Sequence, residues 1–161
     1  MTTKGSRLTA KLEFKQTTRQ LPLRVAILGF GTVGQSVARI IVERADLTES
    51  LKLTHVFNRN VSRKRVDWTP ESVVWTEQIE EIFAASPDVV VETVGGVEGT
   101  YEWVQRALSQ GVSVVTANKL LMAVHAPELI SLASTHGSQI RFEAAVAGGV
   151  PIIYGIRFGL A

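Results

Sequence analysis

Apolar positions alternate between two rhythms from Arg24 onward. Short apolar-rich runs occupy residues 24–28 (RVAIL), 51–57 (LKLTHVF), 73–75, 88–92 (DVVVE), 112–116 and 140–142. Several are continuously apolar, as parallel strands covered on both faces are. Between them the apolar residues recur at helical spacing. Val33, Val37, Ile40 and Ile41 mark one stripe. Ile79, Ile82 and Phe83 mark a second, with Thr76 as its expected N-cap. Tyr101, Val104 and Leu108 mark a third, preceded by Thr100 and closed by Gly111 at the C′ position. Pro127 suits the first turn of a fourth, which runs to Gly137. Strand–helix alternation of this kind builds right-handed βαβ units around a parallel sheet. The expected class is therefore α/β, with a three-layer, doubly wound sheet.

The chain has 161 residues, of which 45% are hydrophobic and 20% charged, a balance that supports one domain with a proper core. Cysteine is absent, which removes disulfides, thiolate metal sites and cysteine nucleophiles. No apolar run approaches the roughly 18 residues of a membrane span, and a cytoplasmic location is expected. The net charge of +2 is unevenly placed. Six of the 17 basic residues but one of the 15 acids lie in residues 1–24, leaving 11 bases against 14 acids. The remainder is mildly acidic, which argues against nucleic acid as a partner. Residues 1–23 read as a flexible basic extension, and 24–161 as a dinucleotide-binding domain of Rossmann type.

That domain type follows from the glycines. The first strand runs into Gly29-Phe30-Gly31-Thr32-Val33-Gly34, a G-x-G-x-x-G that follows a strand and opens a helix. Gly29 permits the tight turn, Gly31 lets the backbone approach a pyrophosphate, and Gly34 lets helix and strand pack closely. The helix N-terminus then offers amides and a positive dipole end to the phosphates. Where the second strand ends, NAD sites place an Asp or Glu on the ribose hydroxyls. This chain has Asn58-Arg59-Asn60, then Ser62-Arg63-Lys64-Arg65. A guanidinium clamps a 2′-phosphate, so NADP(H) is preferred over NAD(H), with Arg59 the leading contact. The fourth strand ends in Glu92-Thr93-Val94-Gly95-Gly96, where Thr93 can donate a hydrogen bond beside the nicotinamide half of the cofactor. Val114-Val115-Thr116-Ala117-Asn118-Lys119 ends the fifth strand and puts a lysine at the sheet edge where ligands bind.

RVAILGFGTVG, DVVVETVGG, VVTANK and FEAAVAGGVPII, in this order and spacing, resemble the homoserine dehydrogenases over roughly residues 24–161. The resemblance implies NAD(P)-dependent interconversion of L-homoserine and L-aspartate 4-semialdehyde, a step of threonine, methionine and isoleucine synthesis. It implies that Gly29, Phe30, Gly31, Thr32, Val33 and Gly34 hold the pyrophosphate. Arg59 with Lys64 or Arg65 would read the NADP phosphate, Thr93 would border the nicotinamide ribose, and Lys119 would line the cleft in a cofactor-binding or catalytic role. It further implies a monovalent cation such as sodium at Glu143, Val146, Gly148 and Val150, held largely through backbone carbonyls. In the family a substrate domain follows, carrying the residues that hold the amino acid, the proton-donating lysine and most of the homo-oligomer contacts. This chain is therefore expected to supply the cofactor half of the enzyme and to be inactive alone. The alternatives are a non-catalytic NADP(H)-binding module, a subunit of a split enzyme, or a different small Rossmann reductase.

Overall fold

The computed structural model describes residues 21–146. Gly148, Val150 and nearly all of the basic extension lie outside the described residues. Six parallel strands form one sheet: β1 (Leu23–Leu28), β2 (Leu51–Phe57), β3 (Val74–Thr76), β4 (Val89–Glu92), β5 (Ser113–Thr116) and β6 (Ile140–Arg141), in the order β3-β2-β1-β4-β5-β6. Sequence order runs outward one way from β1 (to β2 and β3) and the other way from β4 (to β5 and β6), which makes that pair the topological switch point. Helices α1 (Thr32–Glu43), α2 (Ala45–Thr48), α3 (Val61–Lys64), α4 (Ile79–Ala84), α5 (Thr100–Ser109) and α6 (Lys119–Thr135) connect them, and a 3-10 turn (Glu143–Ala145) follows β6.

The two-residue period of a strand divides the core. Val25 and Ile27 of β1 face α1, packing with Phe30, Ala38, Ile41 and Val56. Ala26 and Leu28 face the opposite layer, packing with Ile82, Val104, Leu108, Leu121 and Leu129 from α4, α5 and α6. The expected three-layer sandwich is thus present. All six strands are parallel, so every strand's carboxyl end lies on one edge, together with the loops after β1, β2, β4, β5 and β6.

Four sequence expectations change. The buried side of α1 is Gly34, Ala38 and Ile41, whereas Val33 and Ile40 are about half exposed. At Gly34 the helix lies too close to the glycine loop for a side chain, whereas Ile41 is buried and Val37 packs partly buried, as the stripe predicts. Thr76 ends β3 and does not cap α4; Gln78 occupies the N-cap position, and Thr76 Oγ1 accepts from the Gln78 amide at 2.9 Å. Thr100 likewise is the first residue of α5, after Gly99. Pro127 lies in the middle of α6, which starts eight residues earlier. Asn118 starts that helix, its Oδ1 accepting from Leu121 N at 3.1 Å. Burial of Leu121, Met122 and Leu129 outweighs the single backbone hydrogen bond that proline removes. Gly111, by contrast, takes its expected place after α5 with φ +76°.

One titratable group in the sheet carries a stability prediction. His55 of β2 is partly buried, and its Nδ1 lacks a partner among the described residues. Burial, and then the charge of Arg24, hold its imidazole below the usual range. A depressed histidine pKa means the unfolded chain takes up the proton first. Stability is therefore expected to fall as the pH drops below 6.5, and urea midpoints at pH 7.5 and 5.5 should differ less in His55→Leu than in the parent.

Candidate functional site

At the switch point, Gly29, Phe30, Gly31, Phe57, Asn58, Arg59, Lys64, Thr93 and Val94 line one cleft of about 240 Å³. A second cleft of about 300 Å³ adjoins it at the start of α1, lined by Thr32, Gln35, Ser36, Arg39 and Lys64. Lys64 borders both. Residues from three strand ends, 65 positions apart in sequence at their widest (29 to 94), thereby meet in one place.

The glycine loop is built as its spacing predicts. Gly29 has φ +91°, and a Cβ there would lie 3.0 Å from the Thr93 carbonyl and the Val94 amide. Gly34 is tighter, since its Cβ would fall 2.1 Å from the Gly29 carbonyl oxygen and 2.9 Å from Thr93 Oγ1. Gly31 differs from both. It has an ordinary extended backbone (φ −82°, ψ −163°), and a Cβ would meet nothing within 4 Å. The fold asks nothing of that glycine, so its smallness serves whatever approaches the loop. Among the described residues no side chain caps the amides of α1's first turn, and no acid lies in that turn. The positive end of the helix is left for an anion.

Two of the expected contact residues also hold the loop itself in place. Phe30 borders the cleft, but its side chain is fully buried, stacked on Trp68 (6.2 Å between centroids) and edge-on to Trp75 (4.6 Å). It anchors the loop in the core, while its amide donates to Asn58 Oδ1 at 3.3 Å. Thr93 does not aim its hydroxyl at the cleft as a donor. It donates instead to the carbonyls of Gly29 (2.8 Å) and Leu28 (3.1 Å), latching the loop after β4 onto the glycine loop.

Arg59 is exposed and Lys64 half-buried, and both border the cleft. Asn58, at the place where a ribose-binding carboxylate would stand, spends its side chain on Phe30 and on the Asn60 carbonyl. Asn60 caps the short α3, and Glu77 Oε1 accepts from Val61 N at 2.7 Å, so the basic loop is held from two sides. Arg39 lies over the Trp68 ring at 4.9 Å and pairs with Glu43 at 3.2 Å. Its spacing of seven from Thr32 puts it on the same helix face, a signal available in the sequence but submerged among many surface cations.

Lys119 is the exposed first residue of α6, at the same sheet edge but outside the 240 Å³ cleft. It stands next to the loop after β4, because Asn118 Nδ2 donates to the Gly96 carbonyl. Beneath that loop lies a group the sequence reading passed over. Glu92 is fully buried, and its carboxylate accepts from the Val94 and Gly95 amides and from the Thr116 hydroxyl. A lone acid closing an apolar strand is the only signal it gives in the sequence. Glu143 and Val146 sit beyond β6, where Glu143 Oε2 is buried without a hydrogen-bond partner among the described residues. No cluster of three or more His, Cys, Asp or Glu side chains suited to a metal occurs among the described residues, and none of their helices is long and apolar enough to cross a membrane.

The family model for the NAD-binding domain of homoserine dehydrogenase matches residues 29–143. The homoserine dehydrogenase of Bacillus subtilis is 40% identical over 149 residues, covering 86% of this chain and 33% of that protein. That of Corynebacterium glutamicum is 38% identical over 146 residues, covering 85% and 32%. Among solved structures, a homoserine dehydrogenase from Thiobacillus denitrificans aligns with a TM-score of 0.77 at 33% identity, covering 86% of this chain and 33% of that one. A hyperthermophilic archaeal homoserine dehydrogenase in complex with NADPH aligns at 0.70 and 27%, covering 84% and 48%. The chain spans about a third of the length of the curated relatives it matches. With a family match over most of its described residues, the chain belongs to the homoserine dehydrogenases, as their NAD-binding domain.

Proposed function

We propose that the cleft at the β1/β4 switch point binds NADP(H), and that the chain is the cofactor-binding part of an enzyme interconverting L-homoserine and L-aspartate 4-semialdehyde in the synthesis of threonine, methionine and isoleucine. The observation that carries this reading is the convergence of Gly31, Arg59 and Lys64 on one cleft that, among the described residues, no carboxylate lines. The NADPH bound to the archaeal relative adds support. Gly31, Thr32, Val33 and Gly34 present the open first turn of α1 to the pyrophosphate. Arg59 and Lys64 take the 2′-phosphate, a dianion that a planar guanidinium grips through paired donors. When bound, the nicotinamide would give a hydride to the aldehyde carbon of the semialdehyde or take one from the hydroxyl-bearing carbon of homoserine.

Lys119, at the N-terminus of α6 beside Gly95-Gly96, stands on the nicotinamide side of the cleft and orients the cofactor or the reacting oxygen. Hydride transfer also needs the amino-acid substrate held near van der Waals contact and a proton donor at its oxygen. Of these requirements the described residues supply the cofactor side, so the chain binds cofactor without turning over homoserine by itself. Glu143 and Val146 contribute to a monovalent cation site, with Gly148 and Val150 completing it. Glu143 Oε2, buried and without a hydrogen-bond partner among the described residues, fits that role, since a cation satisfies such an oxygen.

An NADPH titration followed by a homoserine oxidation assay on the same sample tests the reading. Micromolar binding without oxidation is expected. Absence of NADPH binding sinks the proposal, and oxidation overturns the half-site account. Arg59→Glu tests the phosphate contact. Losing a charge-assisted pair worth roughly 1.5–3 kcal/mol is expected to weaken NADPH at least about tenfold while NADH changes little. Equal losses for the two cofactors would remove Arg59 from the phosphate site.

A further inference from the structure

Glu92 is an expensive residue where it stands. Three valines precede it in β4 (Val89, Val90 and Val91), and the register aligns it with Leu28 and Thr116 on the neighbouring strands. The side chain is 0% exposed. Burying a carboxyl group is unfavourable until its partners compensate, and an apolar side chain would continue the strand without that cost. All three partners belong to the two strand ends that border the nicotinamide side of the cleft. Oε1 accepts from Val94 N at 2.8 Å and Gly95 N at 3.2 Å, and Oε2 accepts from Thr116 Oγ1.

The contacts continue past Thr116. Its Oγ1 accepts from Asn118 N at 3.0 Å, Asn118 Oδ1 accepts from Leu121 N at 3.1 Å, and Asn118 Nδ2 donates to the Gly96 carbonyl. Thr116 and Asn118 are buried as well, at 1% and 5% exposure. The chain of hydrogen bonds therefore runs from one loop into the sheet and back to the same loop. Glu92 holds Val94 and Gly95 from below, and Asn118 holds Gly96 from the side. Gly95 and Gly96 have φ of +79° and +75° and nothing near their missing Cβ positions, so local sterics leave their conformation open. Apolar packing does not select a conformation for such a pair, whereas directional hydrogen bonds do.

We propose that Glu92 is a positioning residue for the cofactor's nicotinamide half. Through Val94, Gly95, Thr116 and Asn118 it fixes the Gly95-Gly96 loop and the start of α6 at Lys119 as one unit. The inference rests on the cofactor reading above. It makes a distinction that a purely structural role does not make, because the adenosine half of the site is built from other residues (Gly31, Arg59, Lys64). Loss of Glu92 should damage one half of the ligand and spare the other.

The test compares two probes on the full chain, NADPH and 2′,5′-ADP, the latter carrying the phosphates of the adenosine half and no nicotinamide. Glu92→Ala is expected to weaken NADPH about tenfold, as two loop hydrogen bonds are lost, and to reduce the emission enhancement of the bound nicotinamide. Binding of 2′,5′-ADP should stay within about twofold. Glu92→Gln keeps an acceptor for Val94 and Gly95 and should recover most of the NADPH loss. Thr116→Val removes the link to Asn118 and serves if Glu92→Ala does not fold; it should give the same selective loss. Parallel losses for both probes, or no loss of NADPH, would overturn the positioning role. Failure of the parent chain to bind either probe would instead overturn the cofactor reading on which it rests.

Discussion

Gly34→Ala is expected to destabilise the domain by about 2 kcal/mol or more, although alanine is the better helix former. Two effects oppose each other. Replacing glycine inside a helix gains about 1 kcal/mol. The added Cβ, however, would stand 2.1 Å from the Gly29 carbonyl oxygen and 2.9 Å from Thr93 Oγ1. Neither neighbour can yield cheaply. The Gly29 carbonyl is backbone in a positive-φ turn that accepts the Thr93 hydroxyl at 2.8 Å, and Gly29 N donates to the Phe57 carbonyl at 2.9 Å. Overpacking of this kind typically costs about 1–3 kcal/mol, and a contact against fixed backbone belongs at or above the upper end. The clash wins. Thermal unfolding should show the midpoint lowered by roughly 5–10 °C. An unchanged or raised midpoint would mean that α1 stands farther from β1 than described.

Gly31→Val should do the reverse, sparing the fold and removing the ligand. Its backbone is extended and its Cβ direction opens into free space, so a valine is accommodated without strain, and the unfolding midpoint should stay within about 2 °C of the parent. The isopropyl group then occupies the space through which a pyrophosphate must approach the first-turn amides of α1. With at least two charge-assisted hydrogen bonds lost, NADPH affinity is expected to fall roughly 100-fold by fluorescence titration. Retained affinity would place the pyrophosphate elsewhere. Two glycines three residues apart thus separate stability from binding, and the pair of variants measures each without the other.

Much of this was legible in the residues. Glycine has no side chain to substitute for it, so Gly29, Gly31 and Gly34 at their spacing after RVAIL already implied the turn and the helix. The parallel sheet was equally legible, because strands buried on both faces have few options beyond Val, Ile, Leu and Ala. Helix boundaries were less so. Pro127 looked like a helix start, yet a side chain at Asn118 and the burial of Leu121 and Leu129 placed that start eight residues earlier. The stripe Val33-Val37-Ile40-Ile41 looked like the buried face of α1, yet the close approach at Gly34 turned Ala38 inward and left Val33 and Ile40 half exposed.

Side-chain partners were the least legible of all. Phe30, Thr93 and Asn58 each stood in the right segment for contact with a cofactor. In the fold Phe30 is turned into a Trp68–Trp75 cluster, the Thr93 hydroxyl is donated to Gly29, and Asn58 is tied to Phe30 and Asn60. Glu92 and Thr116 are 24 residues apart and carry no recognisable spacing. Period and composition, being local, determined the class of fold, the glycine loop and the cationic end of β2. Only the tertiary structure decided which polar groups hold the loops and which face the cleft. Strand order brings distant residues within 3 Å, and a hydrogen bond forms only between groups that the assembled sheet has placed in reach.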